Sequence, residues 1–111
     1  MPPETVLARL RKICLALPAA TEKLTWGHPT FQTGGKTFAV YEQYKGEWSI
    51  VVKVGREHQA LFLADARFYK TPYIGDKGWV SLRVAGKLDW REIRELAAAS
   101  HRLVNAAAKK R

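Results

Sequence analysis

The chain has 111 residues, 47% of them hydrophobic, and a net charge of +9 from 19 Lys and Arg against 10 Asp and Glu. A chain of this size buries roughly two-thirds of its unfolded surface on folding, so one domain over residues 1–111 is expected and disorder of the whole chain is excluded. No stretch approaches the ~18 consecutive apolar residues of a membrane span, Met1-Pro2-Pro3-Glu4 lacks a leader pattern, and the single Cys14 rules out an internal disulfide, so a cytoplasmic protein away from membranes is expected.

The first predicted element follows Pro2 and Pro3, where Val6, Leu7, Leu10, Ile13, Cys14 and Leu17 recur at helical spacing and Pro18 stops the run. Cys14 falls among Leu10, Ile13 and Leu17 and is expected in the core, not as a nucleophile. From Leu24 to about Val54 short segments rich in β-branched and aromatic residues alternate with glycine turns, which predicts a meander. Gly34-Gly35 supplies a two-residue hairpin turn and places Phe31 opposite Phe38.

The next turn lies near Lys45-Gly46-Glu47. A two-residue loop there sets Phe38 opposite Lys53, whereas a three-residue loop pairs Val40 with Val52 and Phe38 with Val54. Matching of faces selects the three-residue loop, with Phe31, Phe38, Val40, Ile50, Val52 and Val54 turned to the core. Thr30, Gln32, Thr37, Ala39, Tyr41, Ser49, Val51 and Lys53 then form the opposite, open face.

Residues Arg56 to about Ala64 suit a short helix, Tyr69 to Lys77 a loop built on Pro72 and Gly75, and Trp79 to Val84 a strand with Val80, Leu82 and Val84 inward. A last helix begins at Asp89, with Glu92 placed as in a capping box, and buries Trp90, Ile93, Leu96, Ala97, Ser100, Leu103, Val104 and Ala107. The order α-β-β-β-β-α-β-α predicts an α+β fold, an antiparallel sheet with the N-terminal and C-terminal helices packed on one face.

Enzyme chemistry finds no support. His28, His58 and His101 are scattered, no CxxC or HExxH occurs, and no metal or cofactor is expected. Ser100 and His101 are adjacent on a helix and point about 100° apart, which is wrong for a nucleophile and its base. Neither GxxxxGK[ST] nor GxGxxG is present, and Gly75-Asp76-Lys77-Gly78 is explained by a turn as well as by an anion loop.

Several phrases in order resemble the YjbR-like (MmcQ/YjbR) family of small bacterial proteins. They are Leu17-Pro18 with Thr21-Glu22, Trp26-Gly27-His28-Pro29-Thr30-Phe31, Gly34-Gly35-Lys36 with Phe38-Ala39, Pro72-Tyr73-Ile74-Gly75, Lys77-Gly78-Trp79-Val80, Asp89-Trp90 and Ser100-His101-Arg102-Leu103-Val104. His101 stands where the family pattern leads one to expect Tyr. The resemblance implies a CyaY-like α+β fold and a DNA-binding role through a double-wing arrangement of hairpins.

Two surfaces are expected to carry that role. One is the pair of basic hairpin tips, Lys36 beside Gly34-Gly35 and Lys45 beside Gly46, which would contact phosphates. The other is the open sheet face, where Tyr41, Lys53, Trp79 and Arg83 would stack bases and neutralise phosphate, with Lys77 in the neighbouring loop. The alternative is a protein-interaction module, monomeric or a homodimer, using Trp79 and Tyr41 on that face. A third reading gathers His28, Tyr73 and Lys77 around a small anion.

Overall fold

The structure, a computed structural model, describes residues 1–109, with side chains through Ala106, so the terminal Lys109, Lys110 and Arg111 cluster lies outside the described side chains. Helix α1 (Pro3–Leu15) begins on Pro3 without a side-chain cap, as the missing proline N–H permits. Its stripe buries Val6, Leu10 and Cys14, with Leu7, Ile13 and Leu17 packed alongside. Six strands follow: β1 (Ala20–Thr25), β2 (His28–Thr33), β3 (Lys36–Tyr44), β4 (Glu47–Lys53), β5 (Phe68–Lys70) and β6 (Trp79–Arg83). Helix α2 (Arg56–Leu63) joins β4 to β5, and α3 (Trp90–Lys109) closes the chain.

All strand pairings are antiparallel, in the order β1-β2-β3-β4-β6-β5. Two strands depart from the sequence expectation. The first starts at Ala20 and not at Leu24, and Phe68–Lys70 is a strand where a loop was expected. A strand of three residues is too short to show an alternating pattern.

The β3–β4 register is the larger correction. Tyr44 pairs with Glu47 and Ala39 with Val52, which makes Lys45-Gly46 a two-residue turn with φ of 53° and 80°, the twist that tight hairpins favour. Ala39 and Tyr41 therefore face the core, while Val40 lies on the other face beside Thr30 and Val51. A three-residue loop would keep Phe38 off the face of Lys53. The chain resolves that conflict by a bulge: Phe31 pairs with Ala39 but Gln32 pairs with Thr37, leaving Phe38 as the extra residue of β3. Phe38 is thereby fully buried with Ala39.

The Ser100 hydroxyl of α3 holds this bulge. It donates to the Phe38 carbonyl at 2.6 Å and accepts from the Lys53 amide at 2.9 Å, replacing a rung of the ladder between residues that the bulge has drawn apart. The neighbouring His101 is also buried, with its ring edge on Phe38, one nitrogen 2.8 Å from the Pro18 carbonyl and the other 3.2 Å from the Asn105 amide. Ser100 and His101 thus serve packing, not each other. The α3 start is as expected, the Asp89 carboxylate accepting from the amides of Arg91 and Glu92, but the Glu92 side chain turns to Arg67 and leaves the capping box half made.

The core lies between the helices and one sheet face, where Phe31, Phe38, Tyr41, Ile50, Val52, Val80 and Leu82 meet Val6, Leu10, Ile93 and Ala97. At about 25 cal/mol per Å² such burial is the main stabilising force. The sheet has two distinct ends. The upper end carries the Gly34-Gly35 turn, the β4–α2 junction and the start of β6; the lower end carries the Trp26-Gly27 turn, the Lys45-Gly46 turn and the exit of β6.

Candidate nucleic-acid interface

The structure divides the expected binding residues into three groups. Tyr41 is not on the open face. It is 1% exposed, its hydroxyl donates to the Pro3 carbonyl at 3.0 Å, its ring stacks on Trp48, and burial pushes its hydroxyl up to about 12. This follows from the register correction, since shifting a pairing by one residue exchanges the faces.

Lys53, Trp79 and Arg83 do share the face away from the helices, because β6 runs beside β4 with Lys53 opposite Trp79 and Ser49 opposite Arg83. Trp79 is only 8% exposed, however, too deep to offer a ring face to a base. Arg83 is committed to structure: it pairs with Glu47 at 3.3 Å, donates to the Ala66 carbonyl at 2.8 Å and lies over the Tyr69 ring. The same face is lined by short buried polar groups, with Tyr69 donating to Ser49 at 3.2 Å and Thr71 bonded to Ser81 at 2.9 Å. Glu42 also lies on this face, and burial raises its carboxyl above the usual range, opposed by nearby His28.

Lys36 opens β3 and Lys45 follows its last residue, Tyr44, so the length of the strand, about 27 Å at 3.4 Å per residue, separates them. They cannot act as two neighbouring wings. The hairpins that open at one end are β1–β2, tipped by Trp26-Gly27, and β3–β4, tipped by Lys45-Gly46. His28, at the lower end, is likewise separated from Tyr73 and Lys77 at the upper end, so the small-anion grouping does not form.

What the fold does assemble is a basic upper end. Lys36 leaves the Gly34-Gly35 turn, Lys53 ends β4, Arg56 opens α2 and Lys77 precedes β6. Lys36 and Lys53 lie on the neighbouring strands β3 and β4, which run about 4.8 Å apart, and Lys77 lies in the turn that leads into β6, the next strand. Lys36, Arg56 and Lys77 are exposed and Lys53 is half-buried. Asp76 also lies here: it binds Lys70 at 2.5 Å, which together with Arg56 holds its carboxyl below the usual range, and its carbonyl accepts from the Arg56 guanidinium at 2.8 Å.

Gly78 makes this arrangement possible. Its carbonyl accepts from the amides of Val54 and Gly55 at 2.9 and 3.1 Å, and a Cβ on it would stand 2.8 Å from the Gly55 carbonyl carbon. The two backbones touch, which brings the start of α2 against the start of β6. Next to them Tyr73 occupies a γ-turn, with φ of 69° and the Ile74 amide donating to the Pro72 carbonyl at 2.8 Å. Positive φ in such a turn is strained for a non-glycine residue. Its ring is 99% exposed.

The lower end is balanced by comparison. Arg67 is bound by Asp65 and Glu92 at 2.7 and 2.8 Å and Arg83 by Glu47, while Lys45 has no ion pair among the described residues. Trp26 projects there, 93% exposed at the tip of its turn. Pro29 and Phe31 are buried, as packing residues. Sequence reasoning missed Arg56, and the exposure of Tyr73 and Trp26; the left-handed backbone that turns both rings outward has no sequence signature beyond the adjacent Pro72 and Gly27. Cys14 is buried, its thiol pushed up to about 12, as expected of a core residue. Among the described residues no three His, Cys, Asp or Glu side chains gather as a metal site, and no helix is long and apolar enough to cross a membrane.

Six antiparallel strands with helices packed on one face define an α+β domain of the sheet-and-helix class. The YjbR family model matches residues 15–103, and the chain belongs to the YjbR family. The fold is similar to the crystal structure of the Deinococcus radiodurans protein DR2400, with its DUF419 domain, at a TM-score of 0.77 and 20% identity over 88% of this chain and 77% of that one. It is also similar to a Pseudomonas syringae protein at a TM-score of 0.74 and 16% identity, over 93% of this chain and 98% of the other. No curated protein matches the sequence.

Proposed function

We propose that this YjbR-family chain is a non-enzymatic, cytoplasmic DNA-binding protein that contacts the phosphate backbone through the upper end of its sheet. The observation that carries the reading is the distribution of charge: Lys36, Lys53, Arg56 and Lys77 lie at the upper end of the sheet with no ion pair among the described residues, while Arg67 and Arg83 at the lower end are paired with acids. Phosphate contacts of this kind bind with little sequence preference. Tyr73, exposed beside the lysines, supplies a ring on which an unpaired base can stack.

The test is a fluorescence-anisotropy titration of single- and double-stranded oligonucleotides at several salt concentrations. Affinity that falls linearly in log–log form with salt is expected, and Tyr73→Ala should weaken the single strand more than the duplex. Absence of binding at low salt, or binding indifferent to salt, overturns the proposal.

The exposed Trp26 and Leu24, 93% and 72% accessible, favour a second reading in which the β1–β2 hairpin docks on a protein or on a second copy of the chain. This replaces Trp79 and Tyr41, which are buried. Light scattering with size separation should show a dimer that Trp26→Ala abolishes; a monomer at high concentration eliminates the homodimer version.

A further inference from the structure

Helices α2 and α3 run antiparallel, α2 downward from the β4 junction and α3 upward from Asp89, and they do not close on one another. α2 has no buried residue. Between the two lies a groove of about 480 Å³, inside the range of about 300–1,000 Å³ typical of small-molecule sites. Its walls are Val54, Phe62, Leu96, Ala99, Leu103 and Ala106, and the remaining lining residues are His58 and Arg102. Leu96, Ala99, Leu103 and Ala106 form one stripe of α3, and His58 and Phe62, four apart, form the facing stripe of α2.

The polar groups are not spread evenly. His58 is in the first turn of α2 and Arg102 is in the upper half of α3, so both stand at the same end of the groove. No acid lines it, and Arg102 is exposed with no ion pair or hydrogen bond among the described residues. The adjoining hollow shares Phe62, Leu96, Ala99 and Arg102 with the groove and adds Asp89, Arg91, Glu92 and Glu95. An apolar trough whose own lining carries a guanidinium and no carboxylate accepts a negative head at Arg102 and an apolar body lying on Phe62, Leu96 and Leu103.

We infer that the α2–α3 groove is a binding site for a small amphipathic carboxylate, an aryl or medium-chain alkyl acid whose carboxylate pairs with Arg102 and whose hydrocarbon rests on Phe62, Leu96 and Leu103. A planar guanidinium takes a carboxylate through two parallel N–H bonds. Ala99 leaves the space, since a larger side chain there would fill the floor between the helices. The site is independent of the nucleic-acid reading and stands if that reading fails.

Amide chemical-shift titration of the full chain with decanoate, decanol and butyrate tests it. Saturable shifts with decanoate are expected at Val54, His58, Phe62, Leu96, Ala99 and Leu103, with weaker binding of decanol and none of butyrate. Arg102→Ala should weaken decanoate about tenfold and leave decanol unchanged, and Arg102→Lys should fall between. Ala99→Leu should abolish binding of both while the melting temperature of the free protein is retained; if that variant misfolds, the Arg102 pair alone decides. No saturable decanoate shift at millimolar concentration, shifts centred elsewhere, or equal losses for acid and alcohol in Arg102→Ala overturn the inference.

Discussion

Trp26 and Ser100 show how single residues act through the backbone. Trp26 opens a two-residue turn with φ of 55°, followed by Gly27 at 80°. The left-handed region costs a bulky L-residue about 1–2 kcal/mol, and at 93% exposure the ring recovers little of that by packing. Trp26→Asn, which creates an Asn-Gly turn, should therefore stabilise the fold by about 1 kcal/mol in urea denaturation; a loss of stability would mean that the ring packs in solution. Ser100→Ala has the opposite sign. It strips the buried Phe38 carbonyl and Lys53 amide of their shared partner, and about 2 kcal/mol of destabilisation is expected by the same measurement. Glu42 adds a pH dependence. Burial raises its folded pKa, so its ionisation in the native state is penalised, and stability is lost as pH rises through that raised value. Glu42→Gln should match the wild type in melting temperature near pH 4 and exceed it at pH 8, whereas Asp65 and Asp76, held low by Arg67 and by Lys70, lose their stabilising effect as pH falls below the usual carboxylate range. A variant less stable than wild type at pH 8 would refute the sign.

At the scale of elements, the junction of Gly55 and Gly78 decides whether α2 can seat beside β6. Gly78 has φ of 93°, and an added Cβ meets Gly55 and Arg56 backbone at 2.8–2.9 Å. Neither neighbour is a side-chain tip that can swing aside. Gly78→Ala should destabilise the domain by about 3 kcal/mol, from positive φ and backbone overlap together, and should disturb amide shifts at Val54, Gly55 and Arg56 first; a change below about 1 kcal/mol would show that the junction yields. The elements also mark how far local pattern reaches. The α1 stripe, the Gly34-Gly35 turn, the Asp89 cap and the inward face of β6 were legible because each is fixed by residues near in sequence. The β3–β4 register was not. Face matching across the turn rejected the correct two-residue loop, because the bulge that reconciles Phe38 with it is held by Ser100, 62 residues away. One misjudged residue then moved Tyr41 to the wrong face and Val40 with it.

On the whole molecule, composition gave a net charge of +9 but not its arrangement, which depends on which strand ends meet. Lys53 and Lys77 were legible as candidates and do converge with Lys36; Lys45, read as the second wing, is carried to the far end by the length of β3. Arg56 was missed because it reaches this end of the sheet only through the Gly55–Gly78 contact. Two explanations of the basic character now make different forecasts. If total charge alone draws the polyanion, any three lysines are equivalent. If the upper end is the interface, position matters. The variant Lys36→Glu with Lys53→Glu and Lys77→Glu has the same net charge as the variant Lys23→Glu with Lys45→Glu and Lys87→Glu, and all six residues belong to loops or strand positions away from the core. The first should lose most of its affinity for duplex DNA and flatten the salt slope by about 3 units, since each lost phosphate contact removes about 0.9. The second should keep the wild-type slope and lose affinity only modestly, through the long-range field. Equal losses would assign the binding to net charge, and a larger loss in the second would move the interface to the β1–β2 and β3–β4 hairpins, whose tips carry Trp26 and Lys45.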